Sequence, residues 1–304
     1  MLTYDIVLLT DARFTNEVAI DDYAKNVLLE DQLLINALTH IGLKAHKTHW
    51  NNEQFDWTST QCAMIRTTWD IYDDGMFDQF EAWLDRIKDQ TQLINTYETI
   101  RWNIDKRYLK DLKTRGIKIP PTIFIPQGES KNLHEIVQAS GWEQSILKPA
   151  ISGGGRHTYK LDNNQLNAIA NTFSTLIQEE SMLLQEFQHH VVDKGELTLM
   201  VFGGKYSHAV LKKAKVGDFR VQDDFGGTVH TYEPTAAEIA FAERVVAACD
   251  PVPTQARVDF IWGNDGDLCV SELELIEPEL WFRNEKGAAE QLATLIWERY
   301  FKKS

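Results

Sequence analysis

The chain has 304 residues, enough for two or three modest domains, and its 43% hydrophobic and 25% charged composition is that of an ordinary globular protein. A net charge of −14 argues against duplex nucleic acid as a partner, because such binding needs a basic face, but it leaves room for a small anion held by a local basic cluster. No apolar run is long enough to span a bilayer, and the three scattered cysteines, Cys62, Cys249 and Cys269, point away from a disulfide framework and towards a reducing cytoplasm.

The opening segment reads as a β-strand and not as a signal peptide, because it lacks a basic n-region. DIVLLTD (5–11) is a short apolar run of the kind found in buried parallel strands. Residues 25–42 carry helical periodicity and end at Gly42, a suitable residue beyond a helix C-terminus. LKAHKTHW (43–50) and QCAMIRTTWD (61–70) are predicted strands, residues 74–90 an amphipathic helix, and TQLINT (91–96) another strand. This alternation over the first hundred residues predicts an open α/β domain. Residues 101–116 are predicted as one helix closing at Gly116, with the Pro120–Pro121 pair marking a boundary. The region 119–187 reads as a small α+β module of short strands with one helix near 163–180. Strands follow from 188, then a glycine-bearing loop (217–227) and a helix capped by Thr235 with Glu238 three residues on. A hairpin over 255–275 and a terminal helix over 285–302 complete the chain.

Two stretches carry chemistry. LKPAISGGGRHTYKL (147–161) is neither a P-loop nor a dinucleotide fingerprint, since both need a helix after the glycines and a strand follows here. It reads as a strand–glycine loop–strand hairpin whose backbone N–H groups suit phosphate, with Lys148 as a point charge beside it; a plain hairpin tip is the simpler alternative. The second stretch is QARVDFIWGNDGDLCVSELELIEPELWFR (255–283). If GNDG (263–266) is the turn, residue 262 faces 267 and residue 259 faces 270. Alternation then puts Arg257, Asp259, Glu272 and Glu274 on one face and Val258, Phe260, Leu273 and Leu275 on the other. Three adjacent carboxylates repel unless a cation is present, and Mg2+ bound with substrate phosphates is the natural occupant; a solvated strand face is the simpler alternative. HKTHW (46–50) offers two histidines but no third ligand, so no metal is expected there.

IRTTWDIY (65–72), RWNIDKRYL (101–109), LKPAISGGGR (147–156) and ELELIEPELWF (272–282), in this order and spacing, resemble the ATP-grasp ligases. The likeness is to the branch of glutathione synthetase and D-alanine–D-alanine ligase, and nearest to O-ureido-D-serine cyclo-ligase-type proteins. The resemblance implies an ATP-grasp fold, mixing α/β and α+β parts. It comprises an N-terminal open α/β domain (1–98), a central lid subdomain (99–187) and a C-terminal α+β subdomain with the metal site (188–304). It implies that Lys106 and Lys148 hold ATP phosphates and that Ser152, Gly153, Gly154 and Gly155 close over them. Gln185, Glu186 and Phe187 would line the adenine slot, and Glu196 would grip the ribose. Asp259, Glu272 and Glu274 match the metal ligands; the third is often asparagine in better-known relatives, so Glu274 adds negative charge. Arg257 and Arg220 match arginines near the transferred phosphate.

The expected reaction is ADP-forming ligation of a carboxylate to an amine through an acyl phosphate, within one molecule or between two. The expected cofactors are ATP and one or two Mg2+ ions, with Mn2+ as an alternative. Arg66, Asp70 and Tyr72, at a strand end of the first domain, and Arg283 are expected to bind a small amino-acid-like substrate. No nucleic acid or membrane partner is expected, and a homo-oligomer is left open. A phosphotransferase and a catalytically silent ATP-binding regulator are the alternatives.

Overall fold

The apolar run near the N-terminus forms β1 (Tyr4–Thr10), the centre of a parallel sheet in the computed structural model, which describes residues 2–15, 21–162, 164–215, 217–221 and 226–302. Its partners are β2 (Ala45–His49), β3 (Thr60–Thr67) and β4 (Gln92–Ile94), in the order β2-β1-β3-β4. Both faces are covered, which is why β1 is apolar throughout its centre. Ile6 and Leu8 pack with helices α1 (Asp22–His40) and α9 (Ala288–Tyr300), whereas Val7 and Leu9 pack with α2 (Met76–Ile87) and α3 (Tyr97–Asn103). The expected open α/β arrangement is therefore observed. QCAMIRTTWD is strand only as far as Thr67; Trp69–Tyr72 turns into a 3-10 helix.

Residues 101–116 are not one helix. Helix α3 ends at Asn103, and α4 (Tyr108–Thr114) starts after a break that holds Lys106. The break has a physical cause: the Lys106 main-chain N–H turns away to the Ala150 carbonyl at 2.8 Å. The next segment is a four-stranded antiparallel sheet, β5 (Thr122–Ile125), β6 (Ser145–Pro149), β7 (Tyr159–Leu161) and β8 (Met182–Glu186), in the order β5-β8-β6-β7. It carries two helices, where one was expected: α5 (Leu133–Ser140) and α6 (Leu166–Glu179). Helix α5 has a capping box of Asn132 and Glu135, a signal the sequence contained in a short segment of weak periodicity. These elements enclose a separate small core around Leu147, Phe173, Met182 and Leu184.

After the single turn α7 (His190–Asp193), a five-stranded sheet is built from β9 (Glu196–Phe202), β10 (Lys205–Lys213), β11 (Thr228–Thr231), β12 (Gln255–Trp262) and β13 (Leu268–Glu274), in the order β11-β10-β9-β12-β13. Helix α8 (Ala236–Ala247) covers one face, and its predicted Thr235–Glu238 capping box is present. Within the glycine-bearing loop 217–227, residues 222–225 lie outside the described residues.

The expected register of the β12–β13 hairpin needs correction. Trp262 faces Leu268, and Asp259 faces Glu272 and not residue 270. The turn is longer than GNDG alone, and a bulge between Asp259 and Phe260 shifts the pairing again. The bulge preserves the predicted faces. Val258, Phe260, Leu273 and Leu275 are all in the core, and the four charged residues lie opposite.

Strand β13 is an edge strand, and side chains stand in for the missing neighbour. Asn103 donates to the Leu273 carbonyl (2.8 Å) and accepts from the Leu275 N–H (2.9 Å), while the Tyr108 hydroxyl accepts from the Leu273 N–H (2.8 Å). Replacing Asn103 by Ala strands two buried backbone groups, so urea unfolding is expected to show a loss of about 2–4 kcal/mol. A change below about 0.5 kcal/mol would show that water replaces the side chain there.

Candidate active site

The three sheets meet around one cavity of about 670 Å³. Among the sequence-predicted residues, Lys106, Lys148, Ser152, Gly153, Gly154, Gly155, Gln185, Glu186, Phe187, Glu196, Arg220, Arg257, Asp259, Glu272, Glu274 and Tyr72 all line it. Arg66, Asp70 and Arg283 do not.

The floor is the charged face of β12 and β13. Asp259, Glu272 and Glu274 each offer an oxygen within 4.8 Å of the others. Arg257 lies between Asp259, at 2.8 Å, and Glu274, which it also contacts. Burial works against the charge on all three acids, and their neighbours decide the outcome. For Asp259, Arg257 and Lys212 overcome burial and hold the carboxyl below its ordinary range. For Glu272, Lys106 and Lys148 do the same. Glu274 is pushed well above the ordinary range by burial, opposed by Arg257 and reinforced by the charges of Glu272 and Asp259. An all-oxygen donor set this crowded fits Mg2+, which would draw the proton off Glu274.

One wall is the lysine pair and the glycine loop. Lys106 contacts the Ser152 carbonyl and lies 3.1 Å from Glu272. Lys148 projects from β6, where burial and the nearby Lys106 lower its pKa and Glu272 raises it. The loop joins β6 to β7 as the predicted hairpin, and Arg156 ties its base to Glu180. Gly153 is required by contact: a Cβ there would come 2.4 Å from the Tyr72 ring.

The opposite wall holds Gln185, Glu186 and Phe187 at the end of β8. The N–H groups of Glu186 and Phe187 are already bonded to the carbonyls of Pro121 (2.9 Å) and Gln144 (3.0 Å). A planar ring seated here would therefore meet carbonyl oxygens and apolar side chains such as Ile146 and Ile261 instead of those two donors. Glu196 accepts from Ser271 at 2.7 Å and pairs with Lys212 at 2.6 Å. Arg220 pairs with Asp218 at 2.8 Å and reaches the cavity from its loop.

Residues 6–95 match the family described as D-cycloserine synthetase DcsG, N-terminal domain, and residues 114–250 match that described as prokaryotic glutathione synthetase, ATP-grasp domain. The chain belongs to the ATP-grasp ligases. The cycloserine biosynthesis protein DcsG of Streptomyces lavendulae is 27% identical over 286 residues, covering 88% of this chain and 92% of that protein. The crystal structure of D-cycloserine synthetase DcsG superposes with a TM-score of 0.85 at 24% identity, covering 97% of this chain and 99% of the other. D-alanine–D-alanine ligase from Bacillus anthracis, complexed with ATP, gives a TM-score of 0.64 at 16% identity, covering 97% of each chain. At these identities the structural likeness establishes the ATP-grasp fold. No helix among the described residues is long and apolar enough to cross a membrane.

Three expected substrate residues of this ATP-grasp ligase lie elsewhere. Arg66 is fully buried, donating to the Pro278 carbonyl (3.0 Å) and to Gln255 (3.3 Å), with Glu30 at 3.8 Å. It clamps β3 to the segment after β13, which covers the strand end that sequence reading took to be open. Arg283 stands behind the cavity wall, paired with Glu30 (3.1 Å) and Glu279 (2.7 Å). Asp70 accepts from the Trp50 indole N–H at 2.9 Å.

Burial, opposed by the Trp50 bond, lifts the Asp70 carboxyl from 3.8 to about 6. The folded chain then binds the proton that the unfolded chain has released, so stability falls as pH rises through this interval. Asp70→Asn keeps the Trp50 bond and removes the charge. It is expected to be more stable than wild type by about 1–2 kcal/mol above about pH 7, after discounting for solvent screening, with the gain vanishing below about pH 4. Denaturant melts at the two pH values check this.

Sequence reading missed two buried charged residues of the ATP-grasp cavity. Lys212 lies between Glu196 and Asp259 (3.2 Å), which hold its charge against the effect of burial. Its only signal is the pairing of Lys212 with Glu196 across β10 and β9, which appears once the strands are aligned. Glu277 lies within the quoted IEPELWF stretch, but its direction depends on how the chain turns after β13.

Proposed function

We propose that this ligase activates the carboxylate of a small amino-acid-like substrate as an acyl phosphate, which a nitrogen nucleophile then displaces. The observation that carries this reading is the convergence of the two lysines, the glycine loop and the three carboxylates on one cavity. They arrive from three separate parts of the chain, and no covalent nucleophile is needed, because phosphoryl transfer relies on positioning and charge.

In this reading a substrate carboxylate oxygen attacks the terminal phosphorus of ATP and ADP leaves. The nitrogen then attacks the carbonyl carbon, phosphate leaves with the C–O electron pair, and the nitrogen gives up a proton. Lys106 and Lys148 hold the phosphates, and the loop 152–155 covers them and keeps water from the acyl phosphate. Asp259, Glu272 and Glu274 would hold Mg2+, which when bound neutralises phosphate charge. Arg257 and Arg220 face the developing oxyanion. Gln185, Glu186 and Phe187 line the base, and Glu196, shared with Lys212, meets the ribose. We assign residues 1–98 to the substrate side, 99–187 to the lid and 188–304 to the metal side of this machine. Similarity to the cycloserine biosynthesis protein DcsG over 88% of the chain favours ring closure within one molecule.

The test is incubation with ATP, Mg2+ and a pool of amino acids and small carboxylates, following ADP, free phosphate and product mass. Free phosphate with a dehydrated product supports the reading. ADP with a phosphorylated product and no free phosphate replaces it with phosphotransfer, and tight ATP binding without turnover replaces it with a regulatory role.

A further inference from the structure

The cavity wall contributed by the 3-10 turn Trp69–Tyr72 carries groups that none of the steps above uses. Glu277 projects into the cavity there and is only 7% exposed. Two residues of that turn hold it in place. The Tyr72 hydroxyl donates to Glu277 Oε1 at 2.7 Å, and the Trp69 indole N–H donates to the Glu277 main-chain carbonyl at 3.1 Å. Its second carboxylate oxygen has no hydrogen-bond partner among the described residues.

Five other acids of the cavity have ion-pair partners, and Asp73 beside Tyr72, unpaired among the described residues, is exposed to solvent. Glu196 and Asp259 pair with Lys212, Glu272 with Lys106, Glu274 with Arg257, and Glu279 with Arg283. Glu277 has no such pair among the described residues, and Lys106 and Arg257 act on it only at longer range. An enclosed carboxylate without a counter-ion is costly, so the position calls for a cationic occupant. The surroundings restrict which cation. Glu277 lies outside the three-carboxylate group, and a single free oxygen is a poor site for Mg2+, which demands several. The remaining wall is mainly aromatic: Trp69 and Tyr72 themselves, with Phe14 and Tyr23 packed on Trp69 at ring separations of 6.2 and 5.9 Å, while Arg13 beside them is already paired with Asp11. A carboxylate set among aromatic faces suits an ammonium group.

We propose that Glu277, steadied by Trp69 and Tyr72, receives the ammonium group of the amino-acid-like substrate and sets a requirement for a free amine. The assignment rests on the ligase reading and deepens it. Tyr72, which bonds Glu277, is also the ring against which Gly153 of the glycine loop rests.

The test uses the full chain loaded with ADP and Mg2+. D- and L-serine, D- and L-alanine and D-cycloserine are titrated, each beside its N-acetyl form, and phosphate release with ATP is followed in parallel. In the wild type, acetylation is expected to weaken binding about thirtyfold or more. Glu277→Gln is expected to lose that preference while keeping ADP affinity within about threefold, because the phosphate site is separate. Retained ADP affinity also shows that the variant is folded. Glu277→Asp, which keeps the charge on a shorter stem, is expected to retain part of the preference. The assignment falls if Glu277→Gln discriminates as strongly as the wild type, or if the wild type binds no free-amine member of the panel. It also falls if Glu277→Gln shifts the Mg2+ requirement as much as it shifts amine binding. Phosphate release driven by carboxylates without an amine would overturn the Glu277 assignment and leave the ligase reading standing.

Discussion

Glu272→Gln is expected to lower kcat/KM for ATP by about a thousandfold or more, because it removes one full charge from the donor set proposed above to hold Mg2+ against the phosphates. Glu272 stands directly across from Asp259, with Lys106 at 3.1 Å. Burial alone would favour the neutral acid, but Lys106 and Lys148 keep the carboxyl below its ordinary range, so it is ionised at neutral pH. Glutamine keeps the length of the side chain and the strand register, which makes charge the main variable. Raising Mg2+ should recover part of the lost rate, since a weakened site is filled by mass action. Rates measured across a Mg2+ titration decide the matter. Wild-type activity at low Mg2+ would remove Glu272 from the metal site.

Lys148→Ala is expected to raise the KM for ATP and lower kcat together, with kcat/KM falling about a hundredfold to a thousandfold. Lys148 lines the cavity near the end of β6, where partial burial depresses its pKa. A charge held in such a place acts in low dielectric, so its attraction for a phosphate is far larger than at a surface. Lys148→Arg should not restore activity, because a planar fork does not replace a compact ammonium in a fitted pocket. ADP titration together with steady-state kinetics provides the check. A variant with normal ADP affinity and normal kcat would show that Lys148 only supports the lid strand.

Much of the fold was legible because it rests on local patterns. The buried run of β1, the Thr235–Glu238 box before α8 and the alternation of β12 and β13 each depend on residues close in sequence. Alternation was strong enough to place Asp259, Glu272 and Glu274 on one face although the assumed register was wrong, because a bulge compensated for a longer turn. The break at Lys106 was not legible. Helical periodicity continues through it, and only the distant Ala150 carbonyl draws that main-chain N–H out of the helix. Helix α5 was missed for the opposite reason, since eight residues carry too little periodicity to separate a helix from a loop.

The sequence by itself determined the chemistry available to this protein: the lysine–glycine-loop hairpin, the three facing carboxylates, and a likeness to ATP-grasp ligases carried by four ordered stretches. Only the tertiary structure decided which charges reach the cavity. Arg66 reads in sequence as a residue at an open strand end, but the segment after β13 folds over it and turns it into an internal clamp. Glu277 and Lys212 drew no notice in sequence, and packing brings both into the cavity. The physical reason is range. Side-chain alternation and capping are set by neighbours a few residues away, whereas the burial and pairing of a charge depend on residues far along the chain that meet it only when the sheets close together.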